Sequence, residues 1–356
     1  MRRLGLLFRL IADIQPSRGE TATARSSRSD RHEVSPYEGK GGGTVRKLVI
    51  LALLAAVVAA VTAASAAAKP RGTNGLISFT RFEPALQQDV VYTINPDGSG
   101  ERPLLVGAES GHWSPDGTRI LVGPDCCAER ILNPDNGSYT ELTTFYPDLG
   151  LFLGCSVWSP DGARLACEGF GDQPSADGVY TVRSSDGGDV RRVTSGADDD
   201  CPGDYSPNGK RIVFLRSSFD LGALALYTVK LDGSNSRQLT PPGMLLDFTC
   251  GSWSPQGNEI LFSAKQSEGE RSSIFVIHTD GSGLQQIPIA GCGTTSGCHE
   301  PVWSPDGKKI AFTMFVALTG LSDLYTVNPD GTGLYQVTHA GLGAGLKDWG
   351  THPLTR

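Results

Sequence analysis

The chain has 356 residues, of which 45 are Gly and 22 are Pro, the residue types that mark turns. Its 38 acidic residues outnumber its 31 basic residues, so the formal net charge is −7. An acidic chain offers no basic face to phosphate, which disfavours nucleic-acid binding, and we expect no nucleic-acid partner.

Residues 1–44 are rich in Arg, Ser and Gly and show no sustained hydrophobic period. One interpretation is a disordered tail. The other is that Val45 is the true initiator, read from a GTG codon. We favour the second interpretation, because residues 38–43 can be encoded by an almost pure purine run, as a translated ribosome-binding site would be.

Residues 45–68 have the layout of a signal peptide. Arg46 and Lys47 precede an apolar run from Leu48 to Val61, and small residues follow as far as Ala68. The alternative is an uncleaved anchor, since about 20 apolar residues can span a bilayer. Either way we predict an extracytoplasmic protein that touches the membrane only through this segment. Removing residues 1–68, which hold ten Lys or Arg and five Asp or Glu, would change the net charge to −12.

A pentapeptide of the form Trp-Ser-Pro-Asp-Gly, in places varied, recurs along the rest of the chain. The five copies begin at Trp113, Trp158, Tyr205, Trp253 and Trp303. Their prolines are separated by 45, 47, 48 and 50 residues. Repeats of about 40–50 residues with one tight turn per unit are typical of propellers and solenoids.

Each pentapeptide is followed by short segments rich in branched and aromatic residues, which predict strands. In the last copy these are residues 309–312 and 324–327, then an Asp-Gly turn at 330–331 and a final strand at 335–338. With the strand that ends at the motif Trp, each repeat has four antiparallel strands. Four such strands make one propeller blade.

The two ends of the chain share one blade. Residues 76–106 contain the later strands of a blade but no preceding Trp-Ser-Pro, whereas Trp349 lies one repeat length beyond Trp303. We therefore predict an all-β, six-bladed β-propeller over residues 69–356, with the C-terminal strand pairing into the N-terminal blade. Such closure removes exposed sheet edges.

The Trp-Ser-Pro-Asp-Gly-x-x-Ile-Ala-Phe and Leu-Tyr-x-Val-x-x-Asp-Gly patterns resemble the repeats of TolB-like (WD-like) six-bladed propellers. The resemblance covers residues 76–353. It implies the fold but not a function, because that family includes translocation-associated periplasmic scaffolds, propeller domains of prolyl oligopeptidase-like enzymes and many binding modules.

The eight cysteines all follow the signal-like segment, and an even count in an oxidising compartment predicts disulfides. Cys155 and Cys167 flank one hairpin turn symmetrically, Cys292 and Cys298 could close a Gly-rich loop, and Cys201 and Cys250 could bridge neighbouring blades. Cys126 and Cys127 are left over. Zinc is the rival interpretation, but the sequence has no C-x-x-C spacing, and we predict no metal.

No G-x-S-x-G, G-x-x-x-x-G-K-[ST], H-E-x-x-H or EF-hand pattern occurs in the sequence, so we predict a protein that is not an enzyme. The repeated Asp-Gly pairs are explained as turns, and the motif Trp residues as packing between blades.

Charged side chains remain in the loops that enter the inner strands, where binding sites on rigid scaffolds are usually found. The simpler interpretation is a solvated acidic rim. The functional interpretation is a site for a cation or a basic peptide. Three consecutive acids at 198–200 are compatible with calcium binding but are not specific for it. The predicted ligand-binding residues are Asp198, Asp199, Asp200, Asp247, His299, Glu300 and Asp348.

Three functions are compatible with these observations. The leading hypothesis is an exported, non-enzymatic, monomeric propeller that binds an envelope protein or peptide, with a cationic partner as one option, and needs no cofactor. The alternative is a polysaccharide lyase or hydrolase-type enzyme with an acidic and His-containing site at the channel mouth. The third is a purely structural envelope module.

Overall fold

The computed structural model describes residues 72–355 except 124–128, 172–175, 197–198, 219–222, 248, 317–319 and 340–342. Its strands form six antiparallel sheets, the six blades of a β-propeller, which confirms the predicted fold class. The described residues contain no helix long and apolar enough to cross a membrane. The predicted tail and signal or anchor segment, residues 1–68, lie outside the described part.

The first three blades occupy the N-terminal half of the propeller and include its C-terminal strand. Blade 1 consists of β1 (Ile77–Glu83), β2 (Gln88–Ile94), β3 (Arg102–Val106) and β26 (Gly345–Trp349). Blade 2 consists of β4 (His112–Trp113), β5 (Ile120–Val122), β6 (Arg130–Leu132) and β7 (Tyr139–Glu141). Blade 3 consists of β8 (Phe145–Tyr146), β9 (Leu151–Trp158), β10 (Arg164–Gly171), β11 (Gly178–Arg183) and β12 (Arg191–Arg192), with a 3-10 turn at Pro147–Leu149.

The last three blades follow in chain order. Blade 4 consists of β13 (Asp199–Tyr205), β14 (Arg211–Ser218), β15 (Ala223–Lys230) and β16 (Arg237–Gln238). Blade 5 consists of β17 (Leu245–Leu246), β18 (Ser252–Trp253), β19 (Glu259–Lys265), β20 (Ser273–His278) and β21 (Gln285–Gln286). Blade 6 consists of β22 (Ser296–Trp303), β23 (Ile310–Val316), β24 (Leu321–Val327) and β25 (Tyr335–Gln336).

Two blades depart from the predicted four strands. Blade 5 divides its inner strand between β17 and β18, which both pair with β19. Blade 3 adds β8 beyond its inner strand β9, so that this sheet has five strands. The additional strand comes from a non-repeating segment, which is why the repeat pattern did not reveal it.

The C-terminal strand closes the ring as predicted. β26 pairs antiparallel with β1, placing Trp349 opposite Ile77. The Trp349 indole, 2% exposed, donates a hydrogen bond from Nε1 to the Gly75 carbonyl over 3.0 Å.

The Trp-Ser-Pro-Asp-Gly turns share one hydrogen-bond pattern. In the last copy the Ser304 hydroxyl donates to the Asp306 carboxylate at 2.8 Å and accepts from the Lys309 amide at 2.9 Å. Gly307 has φ 70°, a left-handed conformation that glycine adopts without a steric cost. These contacts use the motif Ser, Asp and Gly within the turn itself, as predicted.

The motif aromatic residues are buried between blades, with exposures from 2% for Trp349 to 6% for Trp158. Their backbone amides connect consecutive blades. The Trp113 amide donates to the Asp348 carboxylate at 3.0 Å, and the Trp253 amide donates to the Asp204 carboxylate at 3.1 Å. Each acceptor lies one position before the motif aromatic residue of the preceding blade.

The structure contains the three disulfides expected from the cysteine positions. Cys155 bonds to Cys167 across the β9–β10 hairpin, Cys201 of blade 4 bonds to Cys250 of blade 5, and Cys292 bonds to Cys298 within one loop. Cys126 and Cys127 lie outside the described residues.

Candidate binding site at the channel mouth

The inner strands of all six blades line a central cavity of 370 Å³. Each blade contributes at least one polar side chain to the wall. They are His112, Ser156, Asp204, Ser252, Glu300 and Asp348. We call the end of the propeller where the inner strands begin the entry face, and the opposite end, which carries the motif turns, the turn face.

Asp348 belongs to the cavity wall rather than to the entry face. Its carboxylate is 8% exposed and accepts hydrogen bonds from the amides of Trp113 and Trp349. The side chain therefore connects blade 1 to blade 2. The prediction that Asp348 binds a ligand does not account for these contacts, which give the residue a structural role.

Glu300 faces the same cavity from blade 6. Its backbone has φ 52°, uncommon for a non-glycine residue, at an irregularity in the β22–β23 pairing. The carboxylate accepts a hydrogen bond from Thr313 at 3.0 Å. Because the bulge changes the direction of its side chain, Glu300 stays a candidate for contact with a ligand inside the channel.

The acids predicted at 198–200 have different environments. Asp198 lies outside the described residues, and Asp199 is half-buried at the start of β13. Asp200 is 1% exposed and accepts two hydrogen bonds of 2.7 Å from the Arg216 guanidinium. Because this paired carboxylate is also buried from solvent, the proposed solvated or ligand-binding role does not fit Asp200.

Blade 3 contributes an acid to this region that the sequence reasoning missed. Burial raises the pKa of the Glu168 carboxyl to about 8, and the nearby charges of Asp199, Asp200 and Asp177 act in the same direction. Glu168 lies on an ordinary alternating strand, and only the packing of blade 3 against blade 4 brings it to the other acids.

Asp247 and His299, both predicted, come together although 52 positions separate them. The Asp247 Oδ2 atom lies 3.1 Å from Nδ1 of His299. Because an ionised carboxylate only accepts hydrogen bonds, Nδ1 carries the proton in this contact. Burial acts to raise the pKa of Asp247, but the interaction with His299 and the hydrogen bonds from Ser272 and Ser263 together outweigh it, and the pKa lies below its usual range.

A groove on the entry face, between blades 5 and 6, lies beside this pair and encloses 660 Å³. Lys265 and Arg271 line it together with His299. The sequence reasoning did not single out these two cations, because they follow an inner hairpin rather than precede an inner strand.

The described residues contain no group of three or more His, Cys, Asp or Glu side chains that could hold a metal ion. Glu168, Asp177, Asp199 and Asp200 come near one another between blades 3 and 4, whereas Asp247, Glu300 and Asp348 lie on other blades. Calcium at 198–200 stays a prediction, since Asp198 is not described.

Comparison with known proteins supports the fold. No protein-family model matches the chain. A curated relative, the Tol-Pal system protein TolB 1 of Novosphingobium aromaticivorans, is 40% identical over 62 residues, which is 17% of this chain and 14% of that protein. This chain therefore aligns with only a small part of that relative's length.

Three solved structures have similar folds. A putative TolB from Agrobacterium tumefaciens has a TM-score of 0.60 at 19% identity, covering 79% of this chain and 94% of that one. TolB from Acinetobacter baumannii has a TM-score of 0.61 at 19% identity, covering 76% of this chain and 65% of that one. An oligogalacturonate lyase in complex with manganese has a TM-score of 0.52 at 14% identity, covering 71% of this chain and 73% of that one. The resemblance to TolB-like six-bladed propellers is thus confirmed for the fold.

Proposed function

We propose that the protein is an exported, non-enzymatic propeller that binds a protein or peptide partner of the cell envelope. Three disulfides in the described residues favour an oxidising compartment, in keeping with the signal-like segment at 45–68. The similarity in fold to TolB proteins is compatible with this proposal.

The observation that carries the proposal is a row of aromatic side chains across blade 3 at the entry face. Phe145, Phe152 and Phe170 occupy one register line on β8, β9 and β10. The rings of Phe145 and Phe152 stack with centroids 4.3 Å apart, yet Phe145 is 46% exposed and Phe170 is 43% exposed. Leu149, at the tip of the β8–β9 connection, is 59% exposed. Clustered apolar exposure of this kind is typical of an interaction surface.

Acidic groups lie on the same face of blade 3. Glu168 is two positions before Phe170 on β10, so the two side chains share one side of the sheet, and Glu168 interacts with Asp177 and Asp199. Burial keeps Glu168 itself largely uncharged at neutral pH, but the apolar row beside Asp177 and Asp199 fits a partner segment that combines apolar and basic residues. This complementarity is the reason to propose a cationic peptide segment as the partner.

The proposal is tested by capturing partners from an envelope extract of the source organism with the immobilised protein. The double variant F145S/F170S should lose at least about tenfold of the captured partner, because exposed aromatic anchors dominate binding at interfaces. Its melting temperature should stay within a few degrees of the parent, since both rings are only about half buried.

F82S is the matched control, because Phe82 is 45% exposed on blade 1, away from the aromatic row. It should capture the same partner at the parent level. Equal capture by all three proteins would refute the assignment of the aromatic row. If the parent itself captured nothing above background, the purely structural module would become the better account.

The contact between Asp247 and His299 favours the enzymatic alternative. A carboxylate that fixes one imidazole nitrogen leaves the other available as a general base, as in many hydrolytic sites. A hydrolase would release reducing ends from a polysaccharide, and a lyase would release unsaturated ends. Activity in either assay that disappears in H299A would support this alternative, and absence of both products across a panel of neutral and acidic polysaccharides would count against it.

A further inference from the structure

We propose that the groove between blades 5 and 6 binds the carboxylate of a small organic acid through Lys265 and Arg271, with His299 contacting the rest of the molecule. All three side chains line the same 660 Å³ groove. It lies apart from the aromatic row of blade 3, so this proposal does not depend on the proposed function.

Three elements bring these side chains together. Lys265 is the last residue of β19, Arg271 lies in the loop before β20, and His299 lies on β22 of the next blade. The wall opposite Arg271 is the loop closed by the disulfide between Cys292 and Cys298. Amides of that loop donate to the Ser272 carbonyl at 2.9 and 3.2 Å, which fixes the loop against blade 5.

The charges in the groove favour an anion. Within the described part of the chain, neither Lys265 nor Arg271 forms a salt bridge with a carboxylate. Both side chains are half-buried, and Glu270 is the one acid among the described residues that line the groove. A planar guanidinium beside an ammonium matches the two oxygens of a carboxylate.

His299 adds a directed nitrogen to this set. Asp247 holds its Nδ1 atom at 3.1 Å, which fixes the ring. A methyl group placed on Gly297 would lie 2.6 Å from Nε2. The Nε2 atom therefore sits over Gly297, which itself lines the groove, and can accept a hydrogen bond there from a hydroxyl or amide group of a bound ligand. Asp247 acts here as a positioning residue.

The size of the groove indicates the class of ligand. A volume of 660 Å³ lies within the range of about 300–1,000 Å³ that is usual for small-molecule sites, and far exceeds what an inorganic ion fills. Thr294 offers a hydroxyl and Phe315, 36% exposed, offers an aromatic surface for the rest of the molecule. A carboxylate on an organic body, such as a sugar acid or a peptide C-terminus, satisfies both requirements.

Calorimetric titration of the intact protein with glucuronate and with trialanine tests the proposal, with glucose and the C-terminal amide of trialanine as counterparts that lack the carboxylate. At least one carboxylate should bind, and its counterpart without the carboxylate should not. R271A should weaken that binding by about tenfold or more, because it removes a charge-assisted hydrogen bond. R271K, which keeps the charge but lacks the planar fork, should weaken it by less.

Removing the charge of Glu270 supplies a second test, in which carboxylate binding should become stronger rather than weaker. E270Q should strengthen carboxylate binding by roughly twofold to threefold, since it removes a like charge from the rim. K210A is the matched control, because Lys210 is exposed on a motif turn at the turn face, and it should bind as the parent does.

Two results would overturn the proposal. One is equal affinity in the parent, R271A and E270Q. The other is no binding of either carboxylate at millimolar concentration by a parent protein that melts cooperatively. Which of the two carboxylates binds distinguishes a saccharide source from a peptide source. R271A leaves the aromatic row of blade 3 intact, so failure here does not affect the test of partner capture.

Discussion

At the scale of single residues, the acids of the entry face are not equivalent. Asp200 is held by Arg216, Asp348 by backbone amides of two blades, and Asp247 by His299. Glu168 instead lies where burial and neighbouring acids disfavour its charge, so its pKa rises to about 8. Glu129 behaves in the same way, because burial outweighs a hydrogen bond from the Cys155 amide and raises the pKa to about 7.

Glu168 should make the protein less stable as the pH rises. Between its unfolded pKa near 4.5 and its folded pKa of about 8, the folded state binds more protons than the unfolded state. The free energy of unfolding therefore falls as pH increases through this window. E168Q, which cannot ionise, should be more stable than the parent at pH 9 by about 1 kcal/mol or more and nearly equal to it at pH 5.

Urea unfolding at pH 5, 7 and 9 measures this difference. E141Q is the control, since Glu141 is exposed at the outer edge of blade 2, and it should follow the parent at every pH. A parent and an E168Q variant whose stabilities change in parallel from pH 5 to pH 9 would contradict the assignment.

At the scale of elements, the disulfides differ in the length of chain that they close. The bond from Cys201 to Cys250 spans 49 positions and joins blades 4 and 5. The bond from Cys155 to Cys167 spans 12 positions within one hairpin, and the bond from Cys292 to Cys298 spans 6 within one loop. Longer closed loops restrict the unfolded chain more, so the bond between blades should contribute most to stability.

Paired Ala variants of each disulfide should therefore lose stability in that order. The chain-entropy relation gives about 4 kcal/mol for the Cys201 and Cys250 pair, about 3 kcal/mol for the Cys155 and Cys167 pair and about 2 kcal/mol for the loop pair. Denaturant unfolding under non-reducing conditions measures the three losses. A larger loss from the Cys292 and Cys298 pair than from the Cys201 and Cys250 pair would show that local packing, rather than loop length, decides.

At the scale of the whole molecule, the C-terminal segment does more than complete blade 1. Beyond β26, the His352 ring is 6% exposed and stacks on Trp113 of blade 2 with centroids 5.0 Å apart. Its Nδ1 atom lies 2.7 Å from the Gly117 carbonyl. Thr355 exchanges hydrogen bonds with Asn95 of blade 1. The segment thus joins blades 1 and 2 at the turn face.

Deleting residues 347–356 should destabilise all six blades together. The deletion removes most of the inner strand of blade 1, exposes two sheet edges and leaves Trp113 without its stacking partner. Differential scanning calorimetry should show a melting temperature lower by well over about 5 °C and a less cooperative transition. A truncated protein that melts like the parent would refute ring closure as the basis of stability.

A shorter deletion separates the two contributions. Removing residues 352–356 keeps β26 but discards the His352 stack and the Thr355 hydrogen bonds. Its melting temperature should lie between those of the parent and the longer deletion.

The sequence by itself determined the number of blades, the closing strand and the positions of three disulfides, because each follows from a repeat whose turns and strands are local. It also brought Asp247 and His299 into one candidate set. Only the tertiary structure decided which acids already have hydrogen-bond partners. Arg216 donates to Asp200 across a strand pair, and the Trp113 amide donates to Asp348 across two blades. The aromatic row of blade 3 and the cationic groove were likewise decided by packing. Their members lie on different strands, and no local pattern records which of those strands become neighbours.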